Sequence, residues 1–579
     1  MKFCAKKSAG SSLGLLFGML FASAVNCLAL DREAFSFTNY DLTVQLDPEQ
    51  HRLGVRGKVM LRNDSPAPQK IAVLQISSSL SWRSIKAGDQ AVQFVTQPHT
   101  SDIDHTGGLS EAIVTLPEAI APQATIDLHI AYEGVILLDA TRLMRIGTPE
   151  DVAKSTDWDQ IDSNFTAVRG AGYVAWYPIA TETANLSEGD SLFAVLAHWK
   201  RREAGAKMQM ALENTALTGE QTPMLLVCSG RGLEGAPRQG SSKLPLAQCL
   251  YEDLSDTPSF ALAAYEIVDR AWLTVFSLPS HAVAAEAYTD AAGKVAPLVA
   301  DWFGESRKKA RIADLVDPQA APFESGAFLL TPLVNSDSNR SLAAAHQLAH
   351  AAFSSPRPWI EEGLAHFMQA LYVEQQKGRQ VAISYMGSHR SALGTAGDWS
   401  KAPNVDEPVP SLIDTTDDGV IRSKAMFVWW MLRDMVGDAA LKKAFAAYRP
   451  EEDKDPAYLA RLIASQTQRD LGWFFDDWIY HDRGLPDFKV ESAYARKATE
   501  NSFMTAVTIS NAGGAGAEVP LRVKFAGGEV ARRLEVRARS KAVIRVETPA
   551  APQEIVVNDG SVPESGAAND TYKVEIVDK

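Results

Sequence analysis

Two histidines, His346 and His350, stand four residues apart in the run His346-Gln347-Leu348-Ala349-His350. On a helix that spacing puts both imidazoles on one face, about one turn from each other. Shortly afterwards comes Pro358-Trp359-Ile360-Glu361-Glu362-Gly363-Leu364-Ala365-His366-Phe367, a second apolar helical stretch that carries a carboxylate near its head. His346, His350 and Glu362 can together hold one Zn2+ ion, but only if the two helices pack side by side. No other feature restricts the fold of this region so strongly. The zinc-binding motif it approaches is H-E-x-x-H, and here Gln347 stands where that motif has glutamate. A carboxylate there can take a proton from an attacking water, whereas an amide has no basic site near neutral pH and can only hydrogen-bond. The pattern therefore predicts a zinc-site architecture without its usual proton acceptor.

At 579 residues the chain is too long for one core, and several domains are expected. A net charge of −14 argues against nucleic acid or an anionic membrane surface as the main partner. Lys2, Lys6 and Lys7 precede an apolar run, Leu13 to Val25, that is too short to span a bilayer comfortably. With Ala22-Ser23-Ala24 as a cleavage site, residues 1–24 read as a signal peptide. The mature chain is then expected to have no transmembrane anchor and to be exported to the periplasm or the medium. Cys228 and Cys249 lie in a β-rich region and are candidates for a disulfide in an oxidising compartment.

Along the chain the hydrophobic period changes twice. Residues 31–270 alternate with period two in runs such as Tyr40-Asp41-Leu42-Thr43-Val44-Gln45-Leu46, predicting a large antiparallel β domain. Residues 271–488 read mainly as helices. They include His281 to Phe303, Ser341 to Phe353, Trp359 to Gln376 and Lys424 to Met435, with a strand or edge segment near Phe323 to Leu330. Pro356 and Pro358 are expected to stop the first histidine helix. Residues 489–579 return to β and predict a small β-sandwich. The fold class expected is multidomain α+β. Glu361, about 100° around the helix from Glu362, is expected to be solvated, and His366 to be a packed helix residue.

In this order the parts resemble the aminopeptidase N-like family of gluzincin zinc metallopeptidases, as a degenerate, short-loop member. That family has a β saddle domain, a thermolysin-like helical catalytic domain and a β-sandwich. Trp176-Tyr177-Pro178 is similar to its Trp-Tyr-Pro, and Trp478 with Gly484-Leu485-Pro486 to the close of its helical domain. Phe323-Glu324-Ser325-Gly326-Ala327 is similar to the opening of its substrate-binding G-A-M-E-N strand, which makes Gly326, Ala327 and Phe328 substrate-binding candidates. The resemblance implies zinc on His346, His350 and Glu362, and a peptide or protein substrate or ligand.

Several positions depart from the family. Gln347 occupies the position of the general base. The amine-binding Glu of G-A-M-E-N falls at Leu329 and its Asn at Leu330. Arg422 falls at the position of the transition-state Tyr. The connection from His350 to Glu362 is also shorter than the family's. The expectation is a zinc-retaining homologue, weak or inactive in peptide hydrolysis. Two alternatives stay open: an active metallo-aminopeptidase with a non-standard base, and a metal-free structural or peptide-binding scaffold. No carboxylate that could replace the base is evident from sequence.

Overall fold

Alternation explains the N-terminal half. In the strand Phe35–Asp47 the side chains of Tyr40, Leu42, Val44 and Leu46 are all fully buried, while the residues between them face outward. This strand pairs antiparallel with Arg52–Asn63 at the centre of an eight-stranded sheet. On its other side it pairs with Lys207–Asn214 in parallel, which departs from the antiparallel expectation. The long excursion between the two strands permits it, because a parallel neighbour needs a crossover connection. Three- and four-stranded sheets complete the region. The computed structural model describes residues 30–574 apart from 186–190, 215–223, 234–246, 255, 335–338, 391–392, 394–410, 482 and 567–569. The leader expected over residues 1–24 lies outside the described residues. Among these, no helix is long and apolar enough to cross a membrane.

The Trp176-Tyr177-Pro178 segment locks this half together. Tyr40 donates a hydrogen bond to the Pro178 carbonyl (3.0 Å), Tyr132 to the Trp176 carbonyl (2.8 Å), and the Trp176 indole N–H to the Pro258 carbonyl (2.9 Å). Each aromatic side chain is buried, so each needs a partner for its polar tip. The Cys228–Cys249 disulfide joins strand Leu225–Cys228 of the four-stranded sheet to strand Ala247–Tyr251 of the eight-stranded one.

The middle of the chain positions the site. A five-stranded sheet contains β1 (Glu266–Asp269), β2 (Leu273–Ser277), β3 (Ala310–Asp314), β4 (Phe323–Ser325) and β5 (Phe328–Thr331), in the order β1-β2-β3-β5-β4. Helix α1 (Ala282–Phe303) connects the parallel strands β2 and β3. Strands β4 and β5 form a tight hairpin through Gly326 and Ala327. Gly326 has φ +54°, and a Cβ on it would meet the Asp256 carboxylate at 2.6 Å, so the turn requires glycine.

Helix α2 (Arg340–Ala352) carries both histidines, and α3 (Pro358–Lys377) carries Glu362. The first histidine helix ends before Pro356, and Pro358 opens the next: at the first helical position its missing N–H costs nothing and its fixed φ suits the helix. Helix α4 (Asp418–Val436) starts earlier than the apolar pattern suggests, because the Asp417 side chain caps it by accepting from the Val420 N–H (3.1 Å). Helices α3 and α4 approach closely at Gly363, where a Cβ would meet Ala425 Cβ at 2.5 Å. Trp359 stacks on Trp429 in the same interface, with ring centroids 5.3 Å apart. The Gly after Glu362 thus brings α4 against α3. Two final sheets, of three and four strands, share one continuous hydrophobic core with these helices, reaching from Leu273 to Val562.

Candidate metal centre

His346 and His350 project from α2 with their Nε2 atoms 3.1 Å apart, and both are almost fully buried. Glu362 reaches them from α3, at 3.7 Å from each Nε2. A second carboxylate approaches more closely from the opposite wall. Glu324 on β4 places Oε1 2.8 Å from His350 Nε2 and Oε2 3.0 Å from His346 Nε2. One ligand atom from each of these four residues lies within 4.8 Å of all the others. Sequence reasoning read Glu324 only as part of a strand and missed it as a site residue. The signal that was available is a charged residue on a short strand of otherwise apolar and small residues.

The donor set fits a borderline divalent cation such as zinc. Ligand atoms of a tetrahedral zinc site, at about 2.0–2.1 Å from the ion, stand roughly 3.3–3.4 Å apart. The distances of 2.8 to 3.7 Å bracket that value. Among the described residues, Glu324 Oε1 and Glu362 Oε2 are buried without a hydrogen-bond partner. The electrostatics agree. Burial alone would raise the Glu324 carboxyl, but the two imidazoles hold it well below the usual carboxylate range. Burial opposes charge on His350 as well, and Glu324 overrides it and pushes the imidazole up. Two carboxylates so placed favour positive charge between them, whether a proton on an imidazole or a cation.

A cavity of about 240 Å³ opens beside the cluster. Gln347, one residue after His346, lines it with a side chain 2% exposed. Both polar atoms of its amide lack a hydrogen-bond partner among the described residues. Leu329 forms an apolar part of the wall, and Arg422 sits at the rim with its guanidinium 3.7 Å from Glu362. Across the hairpin Glu324 pairs with Leu329, so both side chains leave the sheet on the cavity face. In that register Glu324, Leu329 and Thr331 line the cavity, Gly326 and Ala327 make the turn, and Phe328 is buried in the core behind it.

Two neighbours also differ from expectation. Glu361 is not out in solvent; it stands 3.8 Å from the far nitrogen of His350, because α3 crosses behind α2. His366 lines the cavity with its ring 4.8 Å from that of His346. Burial and then the nearby His346 push its imidazole down to about 2, so it is neutral there.

No family model matches this sequence, and no curated protein does. Among solved structures, the chain is similar to the crystal structure of an M1 zinc metallopeptidase from Deinococcus radiodurans. The two are 17% identical, with a TM-score of 0.48, over 77% of this chain and 94% of that one.

Proposed function

We propose that this protein is an exported, zinc-binding homologue of the aminopeptidase N-like peptidases that holds a peptide beside its metal and hydrolyses it weakly or not at all. The observation that carries this is Gln347. A buried amide whose donor and acceptor both lack partners, lining a cavity next to a cluster of zinc-type ligands, suits the N–H and C=O of a peptide group. It does not suit proton abstraction, and general-base catalysis is typically worth about 10²–10⁴ in rate. Bound by His346, His350 and Glu362, zinc would supply Lewis-acid polarisation of a carbonyl.

The rest of the cavity supports binding over turnover. Leu329 offers no charge to a peptide's α-amine, and Arg422 is a cationic donor already engaged near Glu362. The architecture proposed is a leader over 1–24, a β domain over 31–270, a zincin-like domain over 271–488 and a β-sandwich over 489–579. The Cys228–Cys249 disulfide supports an oxidising destination, the periplasm or the medium.

The test is the zinc content of the purified mature protein. About one zinc per chain is expected, lost in His346→Ala and in Glu362→Ala. Absence of zinc after supplementation, or full retention in either variant, overturns the reading. With zinc held by those three ligands alone, Gln347→Glu is expected to raise peptide cleavage; if it lowers a measurable wild-type activity, Gln347 is itself catalytic and the proposal of a lost base is wrong.

A further inference from the structure

Catalytic zinc sites keep one coordination position open for water or substrate, whereas structural sites close it with a fourth protein ligand. We infer that Glu324 is that fourth ligand here, so that the centre is a closed His2Glu2 site that binds the metal firmly and excludes solvent from it. The inference rests on the metal reading above and goes beyond it, since three ligands alone would leave the centre open.

Distance permits this role. Glu324 lies 2.8 and 3.0 Å from the imidazole nitrogens and Glu362 3.7 Å from each, on either side of the spacing of a tetrahedral zinc site. Its Oε1 is buried and unpartnered, as a ligand atom aimed at an ion would be. Its placement is also built in advance. Ser325 donates from its hydroxyl to the Thr257 carbonyl (3.0 Å), and Phe323 packs edge-on against Tyr173, ring centroids 5.4 Å apart. The residues on both sides of Glu324 are therefore tied to the N-terminal half, and the Gly326 turn fixes the hairpin behind them. Ligands held this way need little rearrangement to bind. A carboxylate that enters the fourth position also explains why an amide at 347 is tolerated: with no open position, there is nothing for a base at 347 to deprotonate. Metal binding would then brace the hairpin against α2 and α3.

Zinc affinity, measured by chelator competition on the full mature chain, separates the possibilities. Glu324→Ala is expected to weaken zinc by more than the roughly 10–100-fold that an outer-shell partner costs. Glu324→Gln, of equal size, should weaken it too while keeping the wild-type circular dichroism. Cobalt provides a measurement that needs no variant. Co2+-loaded wild type should give the intense visible bands of a four-coordinate site, unchanged by added acetohydroxamate, and Glu324→Ala should give weaker bands that respond to it. If acetohydroxamate shifts the wild-type spectrum, the centre is open and this inference falls while the metal reading stands. The same follows if Glu324→Gln binds zinc as tightly as wild type, or does so and loses peptide cleavage, which would make Glu324 a base. If wild type binds neither Zn2+ nor Co2+, the earlier reading falls as well.

Discussion

Two clusters in the molecule each contain two carboxylates, one fully buried and one partly exposed, and the chain finishes them in opposite ways. In the N-terminal half, Asp157 and Asp159 surround the guanidinium of Arg169, and all three are essentially inaccessible. Arg169 donates to Asp159 (2.8 Å) and lies 4.0 Å from the centre of the Trp158 ring and 3.2 Å from that of Tyr173. The chain supplies the cation itself, together with the π faces that replace its hydration. In the metal centre, Glu324 and Glu362 face two imidazoles whose nitrogens converge on a shared point. There the chain supplies two imidazoles, with the Arg422 guanidinium 3.7 Å from Glu362. The first acid pair gains its cation from the chain on folding, although both Asp157 oxygens lack a hydrogen-bond partner among the described residues, whereas the second, facing imidazoles, is a candidate cation site. The clusters are linked, because Tyr173, which covers Arg169, also packs on Phe323 beside Glu324.

The largest expected effect comes from removing the resident cation. Arg169→Met leaves two buried carboxylates uncompensated, and breaking such a pair costs about 3–5 kcal/mol. Urea denaturation should show this loss. Because Tyr173 then loses its partner, zinc affinity should fall as well. An intact affinity would show that the two clusters are mechanically independent. Stripping the metal from wild type tests the other half of the comparison. With free zinc at about 100 times its Kd, saturation stabilises the fold by about 2.7 kcal/mol, so chelation should lower Tm correspondingly. The same treatment of His346→Ala should leave Tm unchanged.

The two walls of the metal centre were not equally legible in the sequence. The helix wall is local. Four residues make about one turn, so His346 and His350 must share a face wherever that segment is helical. Glu362 follows on the next helix, and Gly363 marks a close helix contact that only a small residue permits. The hairpin wall is not local. Glu324 meets the histidines because β4 lies at the edge of a sheet whose order, β1-β2-β3-β5-β4, no short-range pattern encodes. Strand register also decides which side of Leu329 and Phe328 faces the cavity, and a one-residue shift exchanges them. The β-α-β succession, by contrast, follows from period alone, because alternating and helical runs bury apolar faces in different ways. Helix starts were legible only as far as apolar pattern reaches: α3 begins at Pro358 and α4 behind the Asp417 cap, both polar or conformational signals.

The guanidinium cluster also carries a cost to the fold. Asp157 is the surplus acid of its pair, 3.7 Å from Arg169, and burial pushes its carboxyl up from 3.8 to about 6. For an acid whose pKa rises on folding, the unfolded chain ionises first as pH increases. Stability is therefore full below about pH 4, is lost between about 4 and 6, and stays reduced above that. Asp157→Asn cannot ionise. Its advantage over wild type should be absent at pH 3.5 and reach about 2–3 kcal/mol by pH 7, because each tenfold change in proton affinity is worth about 1.4 kcal/mol. Thermal melts of the two proteins across that range measure it. A constant offset would mean that the Asp157 carboxyl titrates alike in both states.

The smallest effect returns to Gln347, where fold and function pull apart. Its amide is buried beside the metal ligands, and neither polar atom has a hydrogen-bond partner among the described residues. A buried polar group left unpaired costs about 1–3 kcal/mol. Leucine has nearly the same volume and no such group, so Gln347→Leu should stabilise the protein by about 1 kcal/mol, less than the full penalty because a new branch must be packed. If the amide is kept for a ligand, the same substitution should weaken binding of a peptide library to the zinc-loaded protein several-fold and leave zinc affinity unchanged. Greater stability with undiminished peptide binding would place the peptide elsewhere than this cavity. Lower stability would mean that Gln347 is satisfied in solution, and that the amide belongs to the fold rather than to a ligand.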